Sequence, residues 1–242
     1  MKMPSDGWIL MIETSQRDGS VALGTLDGQQ VDEELFSPGL VHGKELLPRI
    51  DAIVERNDAR QNLCAIAVSA GPGSFTGVRI GVSAAKAIAW ALGIPSLGIS
   101  SLEIIASNID EPGRWGVLLD ASSGDLDVGF YQVGTEGVVK DGEELASHRD
   151  QLPLLNQEGT RFIGLGSRNP QLEIKLETGP VQWDQPTARQ GLKIAIAQVH
   201  QILAGGESPP GWDSPHLLNP RYMRVSRAEE VRRRRLAGEE QA

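Results

Sequence analysis

The sequence predicts an α/β protein with mixed β-sheets flanked by helices, in which the second half repeats the opening of the first. An apolar run that ends in an acid and continues into a hairpin occurs twice, at 8–13 with Glu13 and at 115–120 with Asp120. Segments with strand and helix periodicity alternate between these runs, which favours sheets that are covered by helices. The 242 residues and the 40% hydrophobic content allow a sizeable core but are short for two independent domains.

The first half predicts the order βββαβαβα. A continuous apolar run is typical of a buried strand, and Asp27-Gly28 after the second run is a strong hairpin signal. Apolar residues at helical spacing indicate the first helix, and Gly93 ends the second. The predicted strands are 8–13, 20–26, 29–36, 64–70 and 95–100, and the predicted helices are 42–57, 78–92 and 101–109.

The second half begins after the turn signal Glu111-Pro112-Gly113 and is poorer in helices. Its long helix has Thr187 as the N-cap and Gly205-Gly206 as the end. The other predicted elements are strands on either side of a turn at 122–124, a strand at 161–167 and an extended loop at 208–220. We predict an N-terminal lobe at 1–110, a smaller C-terminal lobe at 111–225 and a charged tail at 226–242 that is flexible.

Composition excludes some classes of function. The net charge of −9 argues against nucleic-acid or membrane binding by the whole surface, although a local basic patch stays open. The single cysteine, Cys64, cannot form an internal disulfide, and no apolar stretch is long enough for a membrane span. We therefore expect a cytoplasmic protein that does not bind membranes.

The segment GPGSFTGVRIG, residues 71–81, lies between a predicted buried strand and a helix, where an anion site could form. Its spacing fails both common phosphate signatures. Thr76 stands where a dinucleotide fingerprint needs glycine, and Gly77-Val78-Arg79 stands where a P-loop needs Gly-Lys-Ser/Thr. A tight turn that brings two backbones close is therefore favoured over a nucleotide site, with Ser74 and Thr76 as helix caps.

The helix at 78–92 has apolar residues on two faces, and only a narrow stripe of residues is suited to face solvent. One face can cover the sheet, and the other needs a second cover. Gly81, Ala85 and Ala89 recur every four residues, a spacing that lets another helix come close. That second helix can belong to this chain or to a partner, and the pattern alone leaves both open.

The intact segment at 71–81 resembles the hallmark of the bacterial TsaB (YeaZ) family of tRNA threonylcarbamoyladenosine biosynthesis proteins. Further matches are His42 with Leu47-Pro48 in the first helix, and the segments 9–15, 20–23, 93–103, 118–127 and 219–224. The resemblance implies two ribonuclease-H-like halves of the actin/hexokinase/Hsp70-like (ASKHA) fold. Two positions depart from the pattern, because Glu13 replaces an aspartate and Ser122 replaces an arginine.

The resemblance also implies a subunit without catalytic residues of its own. It would act in making threonylcarbamoyladenosine at position 37 of tRNAs that read codons beginning with A, and would meet tRNA only through the complex. The implied partners are a TsaD-like paralogue that catalyses the transfer and a TsaE-like ATPase, with a homodimer when the chain is alone. The helices around the glycine segment would form the pairing surface: His42, Leu46, Gly71, Gly73, Ser74, Phe75, Thr76, Gly77, Val78, Arg79, Gly81, Val82, Ala85 and Ala89.

Other functions stay as alternatives. An ATPase or kinase of the ASKHA type would place a nucleotide near the two acids, with Glu13, Thr14, Ser15 and Asp120 as candidates for weak ATP or ADP binding. No metal site or other cofactor is expected, because the histidines do not share a ligand spacing, and Ser74 lacks a hydrolase motif. The arginines of the tail could contact tRNA phosphates, dock on an acidic partner or be solvated.

Overall fold

The computed structural model describes residues 4, 7–39, 41–121, 124–135, 137–155, 158–165, 182–183 and 185–223. The strands of the first half are β1 Trp8–Glu13, β2 Ser20–Thr25, β3 Val31–Leu35, β4 Leu63–Gly71 and β5 Ser96–Ser100. The strands of the second half are β6 Gly113–Asp120, β7 Asp125–Gly134, β8 Gly137–Lys140, β9 Leu145–His148, β10 Arg161–Leu165 and β11 Gln182–Trp183. The helices are α1 His42–Arg56, α2 Phe75–Leu92, α3 Ser101–Ala106, α4 Leu152–Leu155, α5 Ala188–Leu203 and α6 Pro210–Asp213.

Both halves build a sheet with the same plan. The first sheet has the order β3-β2-β1-β4-β5, in which β1 is antiparallel to β2 and parallel to β4. The second has the order β8-β7-β6-β10-β11, in which β6 is antiparallel to β7 and parallel to β10, while β9 also pairs with β7. Glu13 and Asp120 end corresponding strands. This repeated order confirms the predicted ASKHA-type α/β fold with two ribonuclease-H-like halves.

The first sheet is buried on both faces, as its continuous apolar strands predict. Successive side chains of a strand point to opposite faces, so that Leu10 and Ile12 of β1 pack with α1 and α2, whereas Ile9 and Met11 pack with α5. The predicted cap of α5 is present, because Thr187 and Gln190 form a reciprocal capping box. The helix that covers the second face of the first sheet therefore comes from the far end of the chain.

The two sheets are joined through α3. Leu102 and Ile105 of α3 pack on the second sheet, and Ile104 of the same helix packs on the first. The predicted loop at 208–220 instead contains α6 and a 3-10 turn at Pro215–Leu217, because Ser96 and Leu218 anchor this segment against β5 and the core. The lobe boundaries at 110 and 225 are not tested and stay predictions. The tail at 226–242 lies outside the described residues.

Candidate functional site

The glycine segment forms a tight turn from β4 into α2. Gly71 ends β4 with φ +102°, a conformation that favours glycine, and the Gly71–Pro72 peptide bond is cis. Ser74 is the N-cap of α2 and accepts a hydrogen bond from the Gly77 amide at 3.2 Å. The helix thus begins at Phe75, three residues before the predicted start, and the predicted capping role of Ser74 is confirmed. Thr76 lies inside the helix, so that its predicted capping role is wrong.

The glycines of this turn lie against the backbone of the loop that follows β1, residues 14–19. A Cβ atom on Gly73 would collide with the carbonyl oxygen of Ser15, and one on Gly77 with that of Thr14. Hydrogen bonds close the contact, since Ser74 N donates to Ser15 O at 2.7 Å and Thr14 Oγ1 donates to Gly77 O at 2.8 Å. The segment is therefore a packing device within the chain. Some of its backbone N–H groups already donate hydrogen bonds to other atoms of the chain.

The predicted pairing stripe of α2 faces the wrong way for a partner. Gly81, Val82, Ala85 and Ala89 are almost completely buried on the chain's own first sheet. A Cβ on Gly81 would meet Thr14 Oγ1 and the Val68 side chain. The small residues thus allow the helix to approach the sheet closely, and the prediction that they contact a second subunit is wrong.

Other predicted pairing residues are also internal. His42 is 3% exposed, donates from Nε2 to Gln16 O at 2.7 Å and contacts the Phe36 ring, so that it anchors α1 to the loop at 14–19. Leu46 lies one turn later on the same inward face of α1. Placing His42 and Leu46 on a partner surface is therefore wrong for the same geometric reason. The buried residues also include Gly71, Gly77 and Val78, whereas Gly73, Ser74, Phe75, Thr76 and Arg79 reach the surface.

The acid of the first strand is enclosed. Glu13 is fully buried, and its Oε1 accepts a hydrogen bond from the Ser15 amide at 2.5 Å. Burial raises the pKa of Glu13 to about 7, although hydrogen bonds from Ser15 and Ser69 oppose the rise. Thr14 and Ser15 are also fully buried, whereas Asp120 is half-buried at the end of β6. The proposed nucleotide residues thus differ sharply in their access to solvent.

A second feature is an apolar groove between α1 and α2 with a volume of about 580 Å³. It is lined mainly by apolar side chains, and Asp51 and Arg60 form an ion pair of 2.6 Å at its edge. Leu47 is 61% exposed there and Leu92 is 50% exposed. Its main apolar lining residues are Leu47, Pro48, Val54, Ile88, Ala91 and Leu92.

A third feature lies at the beginning of α2. The Arg79 guanidinium carbon lies 3.6 Å from the Phe75 ring centroid, and Arg79 Nε donates to Tyr222 Oη at 2.7 Å. The Phe75 and Tyr222 rings have centroids 5.4 Å apart. Sequence reasoning missed Tyr222, because it is 143 residues from Arg79 and only the fold brings them together.

No metal site is present among the residues that the structure describes, where no group of three His, Cys, Asp or Glu side chains is suitably placed. Cys64 is buried, and burial raises the pKa of its thiol to about 11, which keeps it protonated. None of the described helices is long and apolar enough to span a bilayer.

Comparison with known proteins identifies the family. The TsaB protein of Bacillus subtilis is 35% identical over 163 residues, which cover 65% of this chain and 70% of that protein. This chain belongs to the TsaB family. The Escherichia coli TsaB protein is 33% identical over 54% of this chain and 57% of its own length.

The solved structures and the family models agree with TsaB membership. YeaZ from Pseudomonas aeruginosa matches with a TM-score of 0.72 at 25% identity and covers 89% of this chain and 99% of that one. A second Pseudomonas aeruginosa structure, described as an uncharacterized protein similar to peptidase YEAZ, has a TM-score of 0.74 at 26% identity and covers 90% and 100%. The family model of TsaD, tRNA N6-adenosine threonylcarbamoyltransferase, matches residues 40–202. The chain thus has a part in threonylcarbamoyladenosine biosynthesis.

Proposed function

We propose that the chain is the non-catalytic subunit of a cytoplasmic complex that makes threonylcarbamoyladenosine at position 37 of tRNAs reading codons that begin with A. A TsaD-like subunit would carry the chemistry, and a TsaE-like ATPase would join the pair. TsaB membership and the match to the TsaD family model support this role. In this arrangement tRNA contacts the TsaD-like subunit, and this chain activates or stabilises that subunit by binding it.

The apolar groove between α1 and α2 is the observation that carries the proposal. Exposed leucines that line a continuous groove are unusual on a free surface and typical of an interface. Leu47 and Leu92 would be covered by helices of the partner, with the Asp51–Arg60 ion pair at the polar edge. This surface replaces the stripe of small residues that the sequence suggested, although it uses the same two helices.

A non-catalytic role is supported by the state of the residues that an ATPase or kinase would use. The Glu13 carboxylate is buried, and the polar groups of Thr14 and Ser15 bond to the glycine segment or to Glu13 itself. An acid of this kind is poorly placed to hold a metal–nucleotide complex. Without a TsaD-like protein, the same groove would join two copies of the chain in a two-fold dimer.

Pairing can be tested by sedimentation of the chain with a purified TsaD-like protein. Leu47→Glu places a charge in the groove and should weaken pairing by about tenfold or more, since an unpaired charge in an apolar interface is costly. Leu154→Glu is the matched control, because Leu154 is 85% exposed on α4 of the other half. Normal pairing of Leu47→Glu would rule out the groove as the interface.

The catalytic alternative needs a separate measurement. The purified chain should show no steady ATP hydrolysis on its own. Turnover that is lost in Asp120→Ala, with an unchanged circular dichroism spectrum, would instead establish an ATPase or kinase that acts in its own right.

A further inference from the structure

The solvent face of α2 has an unusual composition for a protein with a net charge of −9. Arg79, Ser83, Lys86 and Trp90 follow one another at helical spacing and fall within about 60° of each other around the axis, at 100° per residue. They extend over about 16 Å of helix. We call this set the α2 stripe. Neither α2 nor residues 214–223, which pack beside it, contains an aspartate or glutamate.

Among the described residues, no carboxylate neutralises the cations of the α2 stripe. Arg79 donates to the Tyr222 hydroxyl and Lys86 donates to the carbonyl oxygen of His216 at 2.9 Å. Within the described part of the chain, neither forms an ion pair with a carboxylate. Arg221 differs, because its guanidinium pairs with Glu144 at 3.2 Å, and we do not count it as an available charge.

Aromatic rings lie at both ends of the α2 stripe and are partly open to solvent. Trp90 is 67% exposed, Tyr222 is 44% exposed and Phe75 is 42% exposed. The guanidinium of Arg79 holds Phe75 and Tyr222 in place through its ring contact and its hydrogen bond. Rings that are already ordered lose little conformational entropy when a flat ligand stacks on them.

We propose that the α2 stripe, with Phe75 and Tyr222, is a binding site for unpaired RNA. Partly exposed aromatic rings at both ends of a stretch whose cations pair with no described carboxylate match the chemistry of single-stranded RNA, since bases stack on rings and phosphates bind guanidinium and ammonium groups. The sequence after Tyr222 contains further arginines at 224, 227 and 232 to 235, with Glu229 and Glu230 among them. The inference goes beyond pairing with a TsaD-like protein, because it gives this chain its own contact with RNA.

The site is separate from the α1–α2 groove. Ile88 and Ala91, which line the groove, lie about 120° to 180° around the α2 axis from Arg79. The groove is lined by aliphatic side chains, whereas the α2 stripe carries cations, a hydroxyl and aromatic rings. One surface can therefore bind a protein while the other binds RNA.

The test is fluorescence anisotropy of the full chain with a labelled RNA hairpin whose loop has the sequence of an anticodon loop. Tyr222→Ala should weaken binding by about 5- to 100-fold through lost stacking, whereas Tyr222→Phe keeps the ring and should lose less than about threefold. A fully paired RNA duplex should bind Tyr222→Ala and wild type alike, because it offers no unpaired base. Phe75→Leu gives an independent variant if Tyr222→Ala lowers the melting temperature.

The charge contribution is tested with Arg79→Ala against Arg189→Ala. Arg189 is 48% exposed at the start of α5, on the opposite side of the first sheet. Arg79→Ala should weaken binding and lower the slope of log affinity against log salt by about one, whereas Arg189→Ala should leave both unchanged.

Three results would overturn the proposal. The first is the absence of binding to the hairpin at low salt, and the second is equal losses for Arg79→Ala and Arg189→Ala. The third is unchanged RNA binding by Tyr222→Ala together with lost pairing to the TsaD-like protein, which would make this surface a protein interface. Failure of the groove variant Leu47→Glu to affect pairing bears only on the proposed function.

Discussion

Glu13 gives a sharp prediction about stability and pH. A buried carboxyl whose pKa is about 7 in the folded chain, against an ordinary value of 4.5, keeps its proton on folding over that interval. Between pH 4.5 and 7 the folded state therefore binds more protons than the unfolded state, and the free energy of unfolding falls as pH rises. The distance between these two pKa values corresponds to roughly 3 kcal/mol of stability.

The perturbation is Glu13→Gln, which keeps the shape and an oxygen that can accept from the Ser15 amide but cannot ionise. At pH 4.5 the variant should be about as stable as wild type, because the native carboxyl is protonated there. At pH 8 it should be more stable by up to roughly 3 kcal/mol, because wild type then pays for a buried charge. Urea unfolding at the two pH values measures both differences.

Glu55→Gln is the control, because it makes the same chemical change at an exposed position of α1. Its effect on the free energy of unfolding should be small, and it should be the same whether or not Glu13 is replaced. If Glu13→Gln changes stability equally at pH 4.5 and pH 8, or destabilises at pH 8, then Glu13 is ionised in the folded chain and the reasoning from burial is refuted.

Further predictions concern packing and the tail. Ala85→Leu should lower the free energy of unfolding, measured in urea, by about 1–3 kcal/mol because it overpacks the contact of α2 with the sheet. Ala87→Leu, on the exposed side of α2, should be nearly neutral. Equal effects would contradict the burial of Ala85. Gly77→Ala should lower the melting temperature because its methyl group meets backbone. Gly43→Ala in α1, where a methyl group would only touch Ile80 Cδ1 at 4.0 Å, should raise stability by up to about 1 kcal/mol; the reverse ranking would disprove the contact. Deleting residues 226–242 should leave the melting temperature nearly unchanged, since few apolar residues lie there, while RNA affinity and its salt dependence fall; a large loss of thermal stability would show that the tail is packed.

The sequence predicted the elements well because their periodicity is strong. The apolar strand at 8–13 and the helix opened by His42 were found with small boundary errors, and the repeat of strand, acid and hairpin predicted the two sheets. A helical wheel, however, shows only that α2 has two apolar faces. It cannot say which face meets the sheet, and that choice depends on how closely Gly81 approaches Thr14 and Val68.

Contacts between distant parts of the chain could not be predicted from the sequence either, because they too depend on how the elements pack. Tyr222 carries no local signal that connects it with Phe75 or Arg79, although the segment around it matched the family pattern. Its position follows from the turn after α6, where Leu218 packs into the core and directs the chain past Gly71. Only the three-dimensional path of the chain reveals the cluster.

The placement of α5 has a consequence for synthesis of the protein. The sheet built by residues 8–100 can form early, but the helix that covers its face with Ile9 and Met11 is made of residues 188–203. On the ribosome this apolar face therefore stays open while the whole second sheet is translated. The core of the N-terminal half is therefore completed late in synthesis. A fragment that ends near residue 110 should expose this face, and should depend on chaperones or aggregate.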